Sequence, residues 1–157
     1  MLKAALVAGS FALALSTPSA AQSLLSDWAI ADVSQAITDA GATVTGSGTT
    51  SDGALYIDGK TASGMKFLAY GTVCSGSPKR CGGLNLSVGF TQPSAAEATR
   101  RALEIDRIAV GSRHGGDDRL DVNRYIIFDH GITRKNLQAN IEVFLLIAED
   151  IWTGGGK

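Results

Sequence analysis

Hydrophobic positions follow a helical period in three segments of the chain and a strand period between them. In the first helical segment, residues 27–41, the apolar residues Ile30, Val33 and Ile37 recur every three or four positions. Gly41 then occupies a position typical of the residue that follows a helix. The pattern predicts one helix here, with strands after it.

The glycine-rich segment after this helix predicts strands and turns. Residues 42–59 mix threonine, valine and tyrosine with glycines, which indicates a hairpin whose tip lies near residues 46–53. Residues 65–73 carry apolar side chains on both faces and predict a central strand. One of its faces is expected to hold Met65, Phe67, Ala69 and Val73.

The next strand has the clearest alternation in the chain. In residues 84–90, apolar and small or polar side chains take turns, which is typical of an antiparallel strand with one buried face. The expected buried set is Leu84, Leu86, Val88 and Phe90. The simplest arrangement of residues 65–73 and 84–90 is therefore a hairpin closed by the loop between them.

A second helix is predicted from Gln92 to about Ile108, because the period changes there. Ser94 and Glu97 have the spacing of a capping box, in which each side chain binds a backbone N–H of the other residue. Ala98, Ala102 and Ile105 lie on its apolar stripe, with Leu103 beside it.

Residues 111–118 read as a turn, and residues 119–131 read as strand with a short break near Asn123–Arg124. The last helix, residues 133–152, begins at Thr133 as its N-cap. One of its stripes holds Leu137, Ile141, Phe144, Leu145 and Ala148, and a second holds Val143, Leu146, Ile147 and Ile151. A helix that is apolar on two sides needs a partner on each.

Together these segments predict an α+β fold with the order α-β-β-β(-β)-α-β-β-α. Because the strands come in hairpins, the sheet should be mainly antiparallel, with the helices packed on it. We expect one domain over residues 22–153 and a flexible tail at residues 154–157.

The first 21 residues have the pattern of a secretory signal peptide. Lys3 precedes an apolar run from Ala4 to Leu15, and Ala20 and Ala21 provide small residues for cleavage. That run is shorter than the ~20 residues needed to span a bilayer. We therefore expect a periplasmic protein without a membrane span after cleavage.

Charge argues against a nucleic-acid partner. The whole chain has 14 basic and 15 acidic side chains, and removing Lys3 with the signal peptide leaves 13 against 15, a net charge of −2. Nucleic-acid-binding domains usually carry an excess of basic residues on one surface.

Two stretches of the chain have the pattern of a known family: "DVNRYIIFDHGITRKNLQANIEVF", residues 121–144, and "YGTVCSGSPKRCGGLNLSVGF", residues 70–90. In these stretches the chain resembles the YbjN family of bacterial proteins, which are described as sensory-transduction regulators. The resemblance covers roughly residues 29–152. It implies a fold similar to type III secretion chaperones and a binding role without catalytic residues. The middle helix departs from the family pattern at residues 103–106.

The two cysteines, Cys74 and Cys81, lie in the loop "CSGSPKRC". Their spacing fits neither a zinc site nor a Cys-x-x-Cys redox centre, although both remain alternatives. In an oxidising compartment we expect a disulfide with Cα atoms about 4.4–6.8 Å apart. Lys79 and Arg80 would then be exposed, solubilising charges at the hairpin tip.

Two polar motifs could indicate chemistry. "HGGDD", residues 114–118, contains the Gly-Gly-Asp of cyclic-dinucleotide synthases, and Asp117, Asp118 and Asp121 could hold a cation. A solvated Gly-Gly turn explains the same residues. Asp129 and His130 suggest an oriented general base, but neighbours on a strand point to opposite faces and should not meet. We expect no catalytic residue, cofactor or metal.

These observations predict an exported, non-enzymatic protein that binds a protein or peptide and forms a homodimer. The two-sided last helix would supply the interface, at Phe144, Ile147, Ile151 and Trp152, with the two aromatic residues as anchors. An inert structural envelope protein and a small periplasmic enzyme are the alternatives.

Overall fold

The computed structural model describes residues 23–105, 111–114 and 118–153. The signal peptide expected at residues 1–21 and the tail at residues 154–157 lie outside these ranges. The strands are β1 (Leu24–Leu25), β2 (Thr43–Thr49), β3 (Leu55–Lys60), β4 (Lys66–Ser75), β5 (Arg80–Thr91), β6 (Gly111–His114), β7 (Arg119–Ile127) and β8 (Ile132–Thr133). The helices are α1 (Ile30–Asp39), α2 (Ala95–Ile105) and α3 (Arg134–Trp152).

The architecture is an antiparallel sheet covered by helices on one face, which confirms the predicted α+β class. Six strands pair in the order β2-β3-β4-β5-β7-β6, and β1 pairs separately with β8. The two short strands β1 and β8 were not predicted. Buried residues from the three helices and from one face of the sheet form a single hydrophobic cluster. The opposite face, called here the open face, carries the partly or fully exposed side chains of the same strands.

Two successive hairpins use the same five-residue turn. At Thr50–Ala54 and again at Thr61–Met65, the first residue donates to the carbonyl of the fifth and accepts from the N–H of the fourth. The fourth residues are Gly53 and Gly64, with φ of 86° and 98°, a left-handed backbone that glycine adopts without a steric penalty. The tip of the first hairpin therefore lies at residues 50–54. The sequence predicted a tip at residues 46–53, which placed its first residue too early in the chain.

The hairpin of β4 and β5 contains the predicted disulfide between Cys74 and Cys81. Cys81 exchanges both backbone hydrogen bonds with Trp28, at 3.0 Å each, so it faces Cys74 as a non-hydrogen-bonded pair. Antiparallel strands approach most closely at such pairs. The Cα atoms are accordingly 4.0 Å apart, closer than the expected separation of about 4.4–6.8 Å.

Val73 interrupts the alternation of β4. Its φ is 53°, a left-handed conformation that is rare for a β-branched residue. As a result its side chain is 81% exposed, and Cys74 turns its sulfur towards the core instead. The placement of Val73 on the buried face with Phe67 and Ala69 was therefore wrong.

The region after α2 also differs from the prediction. Residues 111–114 form β6 rather than a turn, because they pair with residues 120–123 of β7. Strand β7 continues without the break expected near Asn123–Arg124. Arg124 keeps the alternation and lies on the helix-covered face, where its Nε and Nη2 donate to Asn140 Oδ1 at 2.9 and 2.6 Å.

The helix ends follow the predicted capping in most respects. Thr133 caps α3 by accepting the N–H of Asn136 at 3.1 Å. Ser94 accepts the N–H of Glu97 at 3.2 Å, while the Glu97 carboxylate pairs with Arg100 and Arg101. Within the described residues, no helix is long and apolar enough to cross a membrane.

Candidate functional site

The end of α1, the turn before β4 and one side of α3 enclose a groove of about 450 Å³, called here the α3 groove. Leu146 is the exposed large hydrophobic residue of its wall, with 73% of its surface accessible. The lining residues are Ala40, Gly41, Ala42, Thr61, Ala62, Ser63, Glu142, Leu145, Leu146 and Glu149. Most of these side chains are small or apolar, so the groove can accept an apolar group.

The charged residues that line the α3 groove are acidic. Glu149 accepts the Ser63 hydroxyl at 2.7 Å, and Glu142 accepts the Gln138 amide at 2.8 Å. These hydrogen bonds hold each carboxylate at the rim. The electrostatic preference of the groove is therefore for a partner that carries a cation beside its apolar group.

A row of tyrosines crosses the open face of the sheet. Tyr56 pairs with Tyr70, Tyr70 with Asn85, and Asn85 with Tyr125 on successive strands. The ring of Tyr125 is 53% exposed and reaches across β5, where its hydroxyl lies 2.8 Å from that of Thr72. The row is aromatic and neutral, in contrast to the acidic α3 groove.

Glycines permit two of these rings to lie close to the backbone. A β-carbon at Gly48 would lie 2.9 Å from Tyr56 Cε1, and one at Gly83 would lie 2.3 Å from the Tyr125 hydroxyl. Within the row, the Tyr70 hydroxyl donates to Asp52 at 3.0 Å. That hydrogen bond raises the pKa of Tyr70, and the hydrogen bonds from Thr50 and Tyr70 lower the pKa of Asp52.

An ion-pair network links the disulfide hairpin to the starts of two helices. Arg80 pairs with Asp27 at 2.6 Å and with Asp32 at 3.2 Å, and Arg134 pairs with Asp32 at 2.8 Å. Arg80 is thus not a free charge at the hairpin tip, because the hairpin lies against the start of α1. The network ties three elements together, which is a structural role.

Asp32 is the centre of this network. Burial raises the pKa of its carboxyl, but hydrogen bonds from the Ala29 N–H and from Arg134, with the charges of Arg134 and Arg80, lower it on balance. Asp32 therefore stays ionised while it caps α1 through the Ala29 N–H at 3.0 Å.

The Asp129–His130 pair meets, contrary to expectation. The two residues lie in a turn where His130 has a φ of 60°, and the distance from His130 Nε2 to Asp129 Oδ2 is 3.6 Å. The His130 side chain is 94% exposed, however. A general base needs a substrate held within hydrogen-bond reach, and both side chains project into solvent.

Of the three aspartates considered for a cation, the structure describes Asp118 and Asp121. Asp121 accepts Arg119 Nε at 2.7 Å, and Asp117 lies outside the described residues. Among the residues that the structure describes, no three of the His, Cys, Asp and Glu side chains are grouped to hold a metal ion.

The expected interface on α3 needs correction. Phe144 is fully buried and meets Phe67 edge-on at 6.2 Å between ring centroids, so it cannot contact a partner. Ile147 and Ile151 pack mainly against the core, and Trp152 is half exposed over Phe90. Leu146, assigned to the second stripe but left out of the interface, is the most exposed large hydrophobic residue of α3.

Sequence reasoning missed the tyrosine row and the role of Trp28. Trp28 is fully buried and its Nε1 donates to the Gly83 carbonyl at 2.9 Å. Alternation of β3, β4 and β7 places each tyrosine on the face opposite the buried residues, which is a signal that the sequence contains. No protein-family model, curated protein or solved structure matches this chain.

Proposed function

We propose that this chain is an exported, non-enzymatic protein that binds a protein or peptide segment in the α3 groove. The observation that carries the proposal is the exposed Leu146 beside Leu145 in a groove whose charged lining residues are both acidic. An apolar side chain buried against these leucines would gain free energy from its removal from water. A neighbouring lysine or arginine would pair with Glu142 or Glu149 at the rim.

Export is supported by two independent features. The N-terminal pattern is that of a cleaved signal peptide. The Cys74–Cys81 disulfide is the state expected in an oxidising compartment. Cell fractionation followed by N-terminal sequencing of the protein tests this part: a product in the periplasm that begins near Gln22 supports it, and an intact cytoplasmic chain contradicts it.

The resemblance to the YbjN family and its chaperone-like fold favours the same binding role. The alternatives are an inert structural protein and a small enzyme. Asp129 and His130 contact each other, but both side chains project into solvent, which gives the enzyme alternative little support. A homodimer remains part of the proposal, with Phe144 excluded from its interface because the ring lies in the core.

The binding proposal is tested with two short amphipathic peptides of equal length, one of leucine and lysine and one of leucine and glutamate. Titration followed by amide chemical shifts should move the resonances of residues 40–42, 62 and 145–146 with the lysine peptide alone. Leu146→Asp should weaken that binding about tenfold or more, as expected for an interface anchor.

Leu103→Asp is the matched control, since Leu103 is also an exposed helical leucine, at 63%, but lies on α2. It should leave the shifts at the groove unchanged. Equal binding of both peptides, or shifts spread over the open face, would argue against a specific groove for cationic apolar segments.

A further inference from the structure

Strand β2 forms one edge of the sheet and leaves backbone groups facing outward. The Thr50 N–H donates to the Ala54 carbonyl, and the Thr50 carbonyl accepts the Gly53 N–H, at 2.9 Å each. Both backbone groups of Thr50 therefore point towards the first hairpin turn. Because hydrogen bonding alternates along an antiparallel strand, Gly48 and Gly46 also face β3, and Ser47 and Thr49 face away from it. Ser47 and Thr49 are both exposed.

From Gly46 to Thr50, this edge lacks the usual protection against pairing with another strand. Natural edge strands often carry lysine, proline or inward-pointing charges, whereas β2 reads TVTGSGT, with no charge and no proline. A bulge at Thr45 interrupts the register between Val44 and Gly46, so the regular part of the edge runs from Gly46 to Thr50.

The regular part of β2 is complementary to itself. Its midpoint is Gly48, and an antiparallel copy centred there sets Ser47 opposite Thr49 of the second copy, and the reverse. Both of these residues have outward backbone groups, so this register forms hydrogen-bonded pairs on each side of the centre. Serine and threonine are also favourable cross-strand neighbours.

Side chains on the open face are also compatible with an antiparallel pairing of two copies centred at Gly48. Gly48 has no side chain, and Tyr56 lies over it with Cε1 2.9 Å and the hydroxyl 3.0 Å from the position of a β-carbon. An axis through Gly48 therefore brings the Tyr56 rings of two copies side by side. The tyrosine row, which already runs through Tyr70 and Tyr125, would continue from one copy into the other.

We propose that two copies of this chain pair antiparallel through β2, with the two-fold axis at Gly48, to form one continuous sheet. The pairing of five residues per strand buries less than the ~1,200–2,000 Å² typical of stable interfaces. The dimer is therefore weak and dissociates on dilution. This interface is separate from the α3 groove, so either can fail without the other.

One acidic side chain opposes the pairing and provides a gain-of-affinity test. Asp58 leans over Gly46, where its Oδ2 lies 3.1 Å from the position of a β-carbon. In the proposed register Gly46 faces Thr50 of the second copy, whose turn carries Asp52. Asp58→Asn removes this repulsion and should tighten the dimer severalfold.

Sedimentation velocity over a wide range of concentrations measures the association. Ser47→Pro removes only an outward N–H, since a proline is tolerated where that group faces solvent, and it should abolish the dimer. A proline control on another element is not suitable, because Leu103→Pro, for example, would break α2. The control is therefore Leu103→Lys, which should associate as the parent does. Thermal unfolding of each variant establishes that the fold survives.

Cross-linking tests the register independently of affinity. Chains with Ser47→Cys mixed with chains with Thr49→Cys should form intermolecular disulfides faster than either chain alone. A parent chain that stays monomeric at the highest concentration overturns the proposal, as does a dimer unaffected by Ser47→Pro. Faster cross-linking of like chains would also overturn the proposed axis.

Discussion

Trp28 and Cys81 exchange two backbone hydrogen bonds of 3.0 Å each, which attaches the segment before α1 to the disulfide hairpin. The indole also donates to the Gly83 carbonyl at 2.9 Å. A β-carbon at Gly71 would lie 3.1 Å from the indole Cζ2 and 2.5 Å from Cys81 Sγ. Trp28 therefore fills the space between the hairpin and the core.

Replacement of Trp28 should destabilise the fold in two steps. Trp28→Phe keeps most of the apolar volume but leaves the Gly83 carbonyl without its buried donor, at a cost of about 1–3 kcal/mol. Trp28→Ala also opens a cavity and should cost about 3–5 kcal/mol. Urea unfolding gives both values, and a phenylalanine variant as stable as the parent would contradict the role of the hydrogen bond.

Reduction of the disulfide should destabilise the protein moderately. Closing the eight residues from Cys74 to Cys81 contributes roughly 2.5 kcal/mol on the chain-entropy model. Unfolding with and without a reducing agent measures the difference. The Cys74→Ala/Cys81→Ala variant should have the stability of the reduced parent in both conditions, which separates loss of the covalent link from other effects of the reductant.

Val73→Gly should stabilise the protein. The left-handed backbone at Val73 costs roughly 1–2 kcal/mol for a residue with a β-carbon. Glycine removes that cost. However, glycine also raises the conformational entropy of the unfolded chain, which offsets part of the gain in stability. We expect a gain of about 0.5–1 kcal/mol.

The control is Ile127→Gly, which replaces another exposed β-branched strand residue, at 60% exposure. Ile127 is not among the residues with positive φ, so its replacement by glycine should destabilise. If the two variants lose similar stability, the backbone of Val73 is not strained.

Asp32 should contribute to acid sensitivity. Its pKa is lower in the folded protein than the ordinary value of 3.8, so its stabilising effect is complete above the unfolded pKa. The effect disappears as the pH falls from about 5 through the folded pKa. Asp32→Asn should therefore reduce stability at neutral pH and flatten its decline in acid.

Denaturant unfolding at several pH values tests this prediction. Arg134→Gln, which removes one of the two basic partners of Asp32, should give an intermediate pH profile. An asparagine variant whose acid-induced loss of stability equals that of the parent would contradict the assignment.

Regular patterns in the sequence predicted much of the fold. The alternation from Leu84 to Phe90 and the stripe from Leu137 to Ala148 both report burial directly, and both residue sets are buried. The glycine at position 41 predicted the end of α1 because a left-handed residue there suits few side chains.

Features that depend on distant residues could not be predicted in this way. Gly46 and Gly48 read as turn residues, but they lie in β2, where they allow Asp58 and Tyr56 to approach the backbone. Arg80 read as a free charge because its partners, Asp27 and Asp32, are 53 and 48 residues away in sequence. The exposure of Leu146 and the burial of Phe144 were decided by which side of α3 faces the sheet.

The repeated five-residue turn has a kinetic consequence. The turns at Thr50–Ala54 and Thr61–Met65 connect β2, β3 and β4 over short stretches of chain, so these strands meet at little cost in loop entropy. The pairing of β5 with β7 spans α2 and brings together residues much further apart. Folding should therefore begin in the hairpins, and the pairing of β7 with β5 should follow, since local contacts form before distant ones.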